Sequence, residues 1–139
     1  MIKKLFILSF SLITLSLNAQ TKADSVSILL AVDNYLQGWN TGDSTRMDMA
    51  LHPALVKRIV QNDSIGNFIV NENTKESMIH KTATKKKNPV NPNYYTVKIL
   101  DIYSDIASVR TETKGFIDYI HLVKINSDWK IINVLWAKL

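Results

Sequence analysis

Four residues of this 139-residue chain combine reactive side chains with positions able to aim them: Asp118, Tyr35, Trp39 and His52. Asp118 sits in a strand-like run. A carboxylate facing an apolar hollow has its pKa raised by desolvation, which poises it as a general base. An ion pair with Lys98 across the sheet would answer the same carboxylate without any function. Tyr35 and Trp39 lie one turn apart on an expected helix. The tyrosine hydroxyl there can donate to a ligand carbonyl, or both rings can be plain core. His52 precedes Pro53 at a helix end, where it can shuttle protons at a cavity mouth or fix the turn by a hydrogen bond to a loop carbonyl. Trp39, Thr111, Asn133 and Lys98 form the expected ligand-contacting set.

The residue types that are missing narrow the chemistry. There is no cysteine, which excludes thiol catalysis, zinc–thiolate sites and a lipidated N-terminal cysteine. His52, His80 and His121 are widely separated, with no pair four apart and no metal-binding motif around them, so no metal is expected. No nucleophile motif, phosphate loop or dinucleotide fingerprint occurs, and no cofactor is expected. Proton transfer on a small carbonyl compound (isomerisation, cyclisation or dehydration) is the catalysis left open.

A length of 139 residues with 46% apolar and 21% charged side chains bounds the chain to one ordinary domain. Residues 1–19 read as a secretory leader: basic Met1 to Lys4, an apolar run from Leu5 to Leu17, and a cleavage site after Ala19. The run is short of the roughly 20 residues that span a bilayer, so no membrane span is expected after cleavage. The mature chain, 20–139, is then expected to be periplasmic or secreted. Losing Lys3 and Lys4 leaves 15 basic against 12 acidic residues, a net charge of +3. With only Lys85-Lys86-Lys87 as a basic cluster and no aromatics among them, nucleic-acid binding is not expected.

Thr21 and Asp24 have the spacing of a capping box that opens a helix. Ile28, Val32, Tyr35, Leu36 and Trp39 then mark one helical face, ended at Gly42. Asp43 or Ser44 caps a second short helix through Leu51, stopped by His52-Pro53. Leu55 to Gln61 and Phe68 to Val70 are strand-like around a turn at Asp63 to Gly66, and Asn73 caps a third helix reaching about Lys86. From Tyr94 onward four strands are joined at Ser104-Asp105, Lys114-Gly115 and Ser127-Asp128. Helices followed by a meander make an α+β fold, with helices on one face of a curved antiparallel sheet.

Two-residue turns fix the register by counting. Leu100, Val109, Ile120 and Leu135 then share a row with Ile102, Ala107, Leu122 and Asn133 beside it, and Lys98, Thr111, Asp118 and Ala137 next along. This is the face expected to pack on the helices. Arg110, Tyr119 and Trp136 fall on the opposite face, whose mixed character suggests the surface of a homodimer.

The segments Tyr35-Leu36-Gln37-Gly38-Trp39-Asn40-Thr41-Gly42-Asp43, His52-Pro53, Asp118 to Lys124 and Trp129 to Val134 resemble the nuclear transport factor 2-like superfamily. The match is nearest to its lumazine-binding branch, close to the SnoaL-like proteins, and covers nearly all of the mature chain. The resemblance implies a cone: a bent sheet wrapped round a long N-terminal helix, in a cystatin-like roll with a cavity at the wide end. Relatives include isomerases, dehydratases, cyclases and members without known catalysis, so fold carries across and activity does not. The chain departs from the branch at Ala54, where an acidic residue is usual, and at His121, where a small polar residue is common. Three functions follow as expectations. The first is an exported domain binding a small apolar or aromatic ligand. The second is an enzyme with Asp118 as base, Tyr35 as donor and His52 assisting. The third is a homodimeric interaction domain with a vestigial cavity.

Overall fold

The computed structural model describes residues 2–139, with side chains from residue 22 onward. The leader expected over residues 1–19 lies outside the residues whose side chains are described. Helix α1 (Ile2–Thr41) runs through Thr21 without a break, so no helix opens there. Asp24 is claimed by tertiary partners instead: it accepts a hydrogen bond from Trp129 Nε1 at 3.1 Å and pairs with Lys124 Nζ at 2.7 Å. Among the described residues no helix is long and apolar enough to cross a membrane.

Helix α2 (Ser44–Ala50) begins where expected, with the Asp43 carboxylate accepting from the amides of Thr45 and Arg46. The turn between α1 and α2 requires glycine at Gly42, where φ is +70° and an added Cβ would meet Lys87 Cγ at 2.9 Å and the Thr82 carbonyl at 3.3 Å. Gly42→Ala is expected to lower stability by about 1 to 3 kcal/mol in urea denaturation. An unchanged midpoint would contradict the left-handed turn. Strand β1 (Leu51–Asn62) follows α2 directly, then β2 (Phe68–Thr74) and helix α3 (Lys75–Thr84). The α3 cap is Thr74, one residue later than the sequence suggests, because Asn73 spends its side-chain oxygen on Ser77 and Lys81.

The meander is β3 (Tyr95–Tyr103), β4 (Ile106–Thr113), β5 (Phe116–Ile125) and β6 (Asp128–Lys138). All six strands form one curved sheet in the order β2-β1-β6-β5-β4-β3, antiparallel except for the parallel β1–β6 pair. The inner face packs on α1 through Ile28, Val32, Tyr35 and Leu36, which meet Val109, Ile120, Leu122, Ile131 and Val134 in one core. Gln37 and Asn40, on the flank of α1, hold the loop after α3 through the carbonyls of Asn91 and Pro89.

The counted register holds for β4–β5, where Val109 pairs with Ile120 and Thr111 with Asp118. Between β3 and β4 it holds from the turn through the pairs Ile102–Ala107 and Asp101–Ser108 and is lost beyond; between β5 and β6 it fails throughout. In β3 a bulge leaves Leu100 unmatched, so Ile99 and Val97 turn inward, while Leu100 and Lys98 turn out. The last turn is Asn126-Ser127, not Ser127-Asp128; both residues have positive φ, which a tight hairpin turn demands. A second bulge at His121/Leu122 then makes the partner of Ile120 Val134 rather than Leu135, and the partner of Asp118 Trp136 rather than Ala137. Trp136 therefore lies on the inner face and Leu135 on the outer one, opposite to expectation. Arg110 and Trp136 do not share a surface.

Candidate functional site

One inner row of the sheet runs Val97, Thr111, Asp118 and Trp136 across β3 to β6. Strand β1 adds Lys57 to the inner face, since Leu55, Lys57 and Ile59 alternate inward. Helix α1 lays Tyr35 over this row. The three polar groups meet: Tyr35 donates its hydroxyl to Asp118 Oδ2 at 3.0 Å, and Lys57 Nζ reaches Asp118 Oδ1 at 3.1 Å. Lys57 Nζ also contacts the Tyr35 hydroxyl oxygen. Asp118 is fully buried and answered on both oxygens.

Burial dominates the electrostatics. It pushes the Tyr35 hydroxyl well above the ordinary 10.0, and the neighbouring Asp118 charge adds to that rise. It pulls the Lys57 ammonium down from 10.5, against the opposing pull of Asp118. Three rings surround the ammonium, with Trp136, Tyr35 and Phe116 centred 5.0, 5.1 and 5.6 Å from Nζ. Their faces stabilise a cation that is largely withdrawn from water.

These shifts have opposite consequences for stability. Above pH 10.0 the unfolded chain releases a tyrosine proton that folded Tyr35 keeps, so stability falls as pH rises through the folded value. Lys57 acts the other way: between its lowered folded value and 10.5 the unfolded chain binds the extra proton, so stability rises with pH. Tyr35→Phe deletes the first component. Its unfolding free energy is expected to decline less steeply than that of the unsubstituted chain between about pH 10 and 11. Parallel pH profiles would contradict it.

A cavity of about 230 Å³ opens against this group. Lys57 and Tyr35 form its floor, while Trp39, Leu36, Met78, Phe116 and Trp136 supply apolar walls. Asn73 and exposed Lys81 stand at the open side, and Lys81 Nζ donates to the Asn73 side-chain oxygen. Lys85, at the end of α3, folds onto Trp39, its Nζ 4.7 Å from the ring centroid and donating to the Trp39 carbonyl. The lysine cluster there is thus partly a packing element. Two buried polar atoms near the floor have no protein partner: the Trp136 indole nitrogen and the Thr111 hydroxyl.

The expected site residues separate cleanly. Tyr35, Trp39, Asp118 and Thr111 do lie on or behind the cavity wall, although Lys57 and Tyr35 cover Asp118 from the cavity itself. Lys98 does not reach Asp118, because the β3 bulge pairs it with Arg110 on the outer face. Asn133 is also outside, bonded to Arg58 and His121. His52 stands at the start of β1, its Nδ1 accepting from the Ala54 amide, and it is not part of the cavity lining. Arg110 and Tyr119 pair on the outer face, with Arg110 held by Glu112 at 2.6 Å, and Trp136 is not with them. Lys57 went unrecognised in the sequence. Its signal was available: a lysine at the middle of the alternating triplet Leu55, Lys57, Ile59. Among the described residues no group of three or more acidic, histidine or cysteine side chains gathers as a metal site.

The comparisons with known proteins agree with this architecture. A nuclear transport factor 2-like protein of unknown function from Silicibacter pomeroyi DSS-3 superposes with a TM-score of 0.71 at 14% identity, over 86% of this chain and 98% of that one. Another from Shewanella baltica OS155 gives 0.64 at 16% identity, over 84% and 94%. A cystatin-like fold protein from Burkholderia xenovorans LB400 gives 0.55 at 13% identity, over 82% and 90%. Identities this low show the fold alone. No curated protein matches the sequence. Residues 23–137 match the profile of the family described as "Putative lumazine-binding", and the chain belongs to that family, built on the nuclear transport factor 2-like fold.

Proposed function

We propose that this protein is an exported domain that binds a small, flat, largely apolar molecule carrying an acidic or carbonyl oxygen. The observation that carries the reading is an aromatic-walled cavity of about 230 Å³ with a buried lysine on its floor. Its volume suits a ligand of one or two rings, below the usual range for drug-sized sites. Trp39, Phe116 and Trp136 offer ring faces to a planar body. Lys57 and Lys81 line the cavity, and among the described residues the single carboxylate paired with either of them is Asp118 on Lys57, so the lining favours an anion or a strong acceptor. The family description supports a heterocycle of the lumazine type. Export rests on the basic and then apolar pattern of residues 1–19.

Isothermal calorimetry with lumazine and with terephthalate, a flat diacid that fits one ring, tests the reading. One saturable site per chain is expected for at least one probe, weakened at least about tenfold by Met78→Phe, which adds volume to the wall. Absence of saturable heat for both, or binding indifferent to Met78→Phe, would contradict it.

A further inference from the structure

We propose that Lys57 forms a reversible imine with a small aromatic aldehyde or ketone held in the cavity. The inference rests on the cavity being a ligand site and names its chemistry further. Three features of the geometry carry it. Lys57 Nζ stands on the cavity floor with its side chain only 10% exposed, so a bound carbonyl carbon can meet it with bulk water excluded. Its two polar neighbours, the Asp118 carboxylate and the Tyr35 hydroxyl, can take and return the protons that the reaction moves. The ring faces of Tyr35, Phe116 and Trp136 stabilise a cation at this position, whether ammonium or iminium.

The steps balance. Lys57 passes one proton to Asp118 Oδ1, and the free amine nitrogen bonds to the carbonyl carbon as the carbonyl π pair moves to oxygen. A second proton goes from that nitrogen to the new alkoxide through the Tyr35 hydroxyl, giving the neutral carbinolamine. Asp118 then returns its proton, relayed by the Tyr35 hydroxyl, to the carbinolamine hydroxyl, which leaves as water while the nitrogen lone pair forms C=N. The product is an iminium in the place of the ammonium, with Asp118 again its counter-ion. A lysine desolvated in an apolar pocket is suited to this role. Lys81 also lines the cavity, yet it is exposed and its partner is the neutral Asn73, so it serves as the internal control.

The test incubates the full chain at neutral pH with 4-formylbenzoate and cyanoborohydride, which reduces the imine to a stable amine, and maps the adduct by peptide mass spectrometry. One adduct per chain is expected, on Lys57, forming at least about tenfold faster than on Lys81 or any exposed lysine. Tyr35→Phe is expected to slow it by about 100-fold. Adducts spread over exposed lysines such as Lys81, Lys86 and Lys98, with Lys57 no faster, would overturn the proposal. If terephthalate binds and Lys57 stays unmodified, the imine falls and the binding reading stands. If neither probe engages, both fall.

Discussion

Asp118→Ala is expected to destabilise the fold by about 3 to 5 kcal/mol, because it leaves the Lys57 ammonium buried without its counter-charge and the Tyr35 hydroxyl without its acceptor. The size of the loss reflects an abandoned charge and not the worth of the pair. Replacing the whole group with apolar side chains should therefore be far milder: Tyr35→Phe, Lys57→Met and Asp118→Leu together are expected to stay within about 1 kcal/mol of the original stability, or above it. Urea denaturation with an unchanged slope checks both. If the triple variant were as unstable as Asp118→Ala, packing alone would explain the group. A group that stability does not require, placed on a cavity floor, is the pattern of a site kept for binding.

The second large effect is expected at Trp129, which is 3% exposed at the start of β6 and joins the last hairpin to α1. Trp129→Ala is expected to cost about 3 to 5 kcal/mol, since the void under α1 can collapse only partly. Trp129→Phe keeps most of the volume and gives up the hydrogen bond to Asp24, which retains Lys124 at 2.7 Å. It should cost only about 1 to 2 kcal/mol. Equal losses for the two variants in thermal or urea unfolding would place the stabilisation in the hydrogen bond and not in the ring.

These residues also show what could be read from the sequence and what could not. Asp43 as a helix cap and the central β4–β5 pairing are local: one side chain reaching its own turn, and one hairpin counted from its own loop. The element order, the aromatic face of α1 and the family resemblance were legible for the same reason. Trp136, Asn133 and Lys98 were misassigned because register accumulates along a meander, and a single extra residue flips every side chain beyond it. The bulges at Leu100 and at His121/Leu122 carry no mark in the amino-acid types around them. Trp136 was lost to the outer face in this way, although its ring walls the cavity. Lys57 was missed for a different reason. Lysine is almost never buried without a partner, and its partner, Asp118, lies 61 positions away on a strand reached only after the chain has folded back. The alternation Leu55, Lys57, Ile59 was the one local hint.

Three tryptophans provide the most direct measurement. Trp39 and Trp136 wall the cavity, whereas Trp129 is tied to Asp24 in the core. In a proton–nitrogen correlation spectrum each contributes one indole N–H signal. Saturating lumazine or terephthalate is predicted to shift the signals of Trp39 and Trp136, with the Trp136 nitrogen moving most because it has no protein partner to leave, while Trp129 stays in place. Three unmoved signals, or a shift confined to Trp129, would contradict a ligand chamber between α1 and the inner face of the sheet.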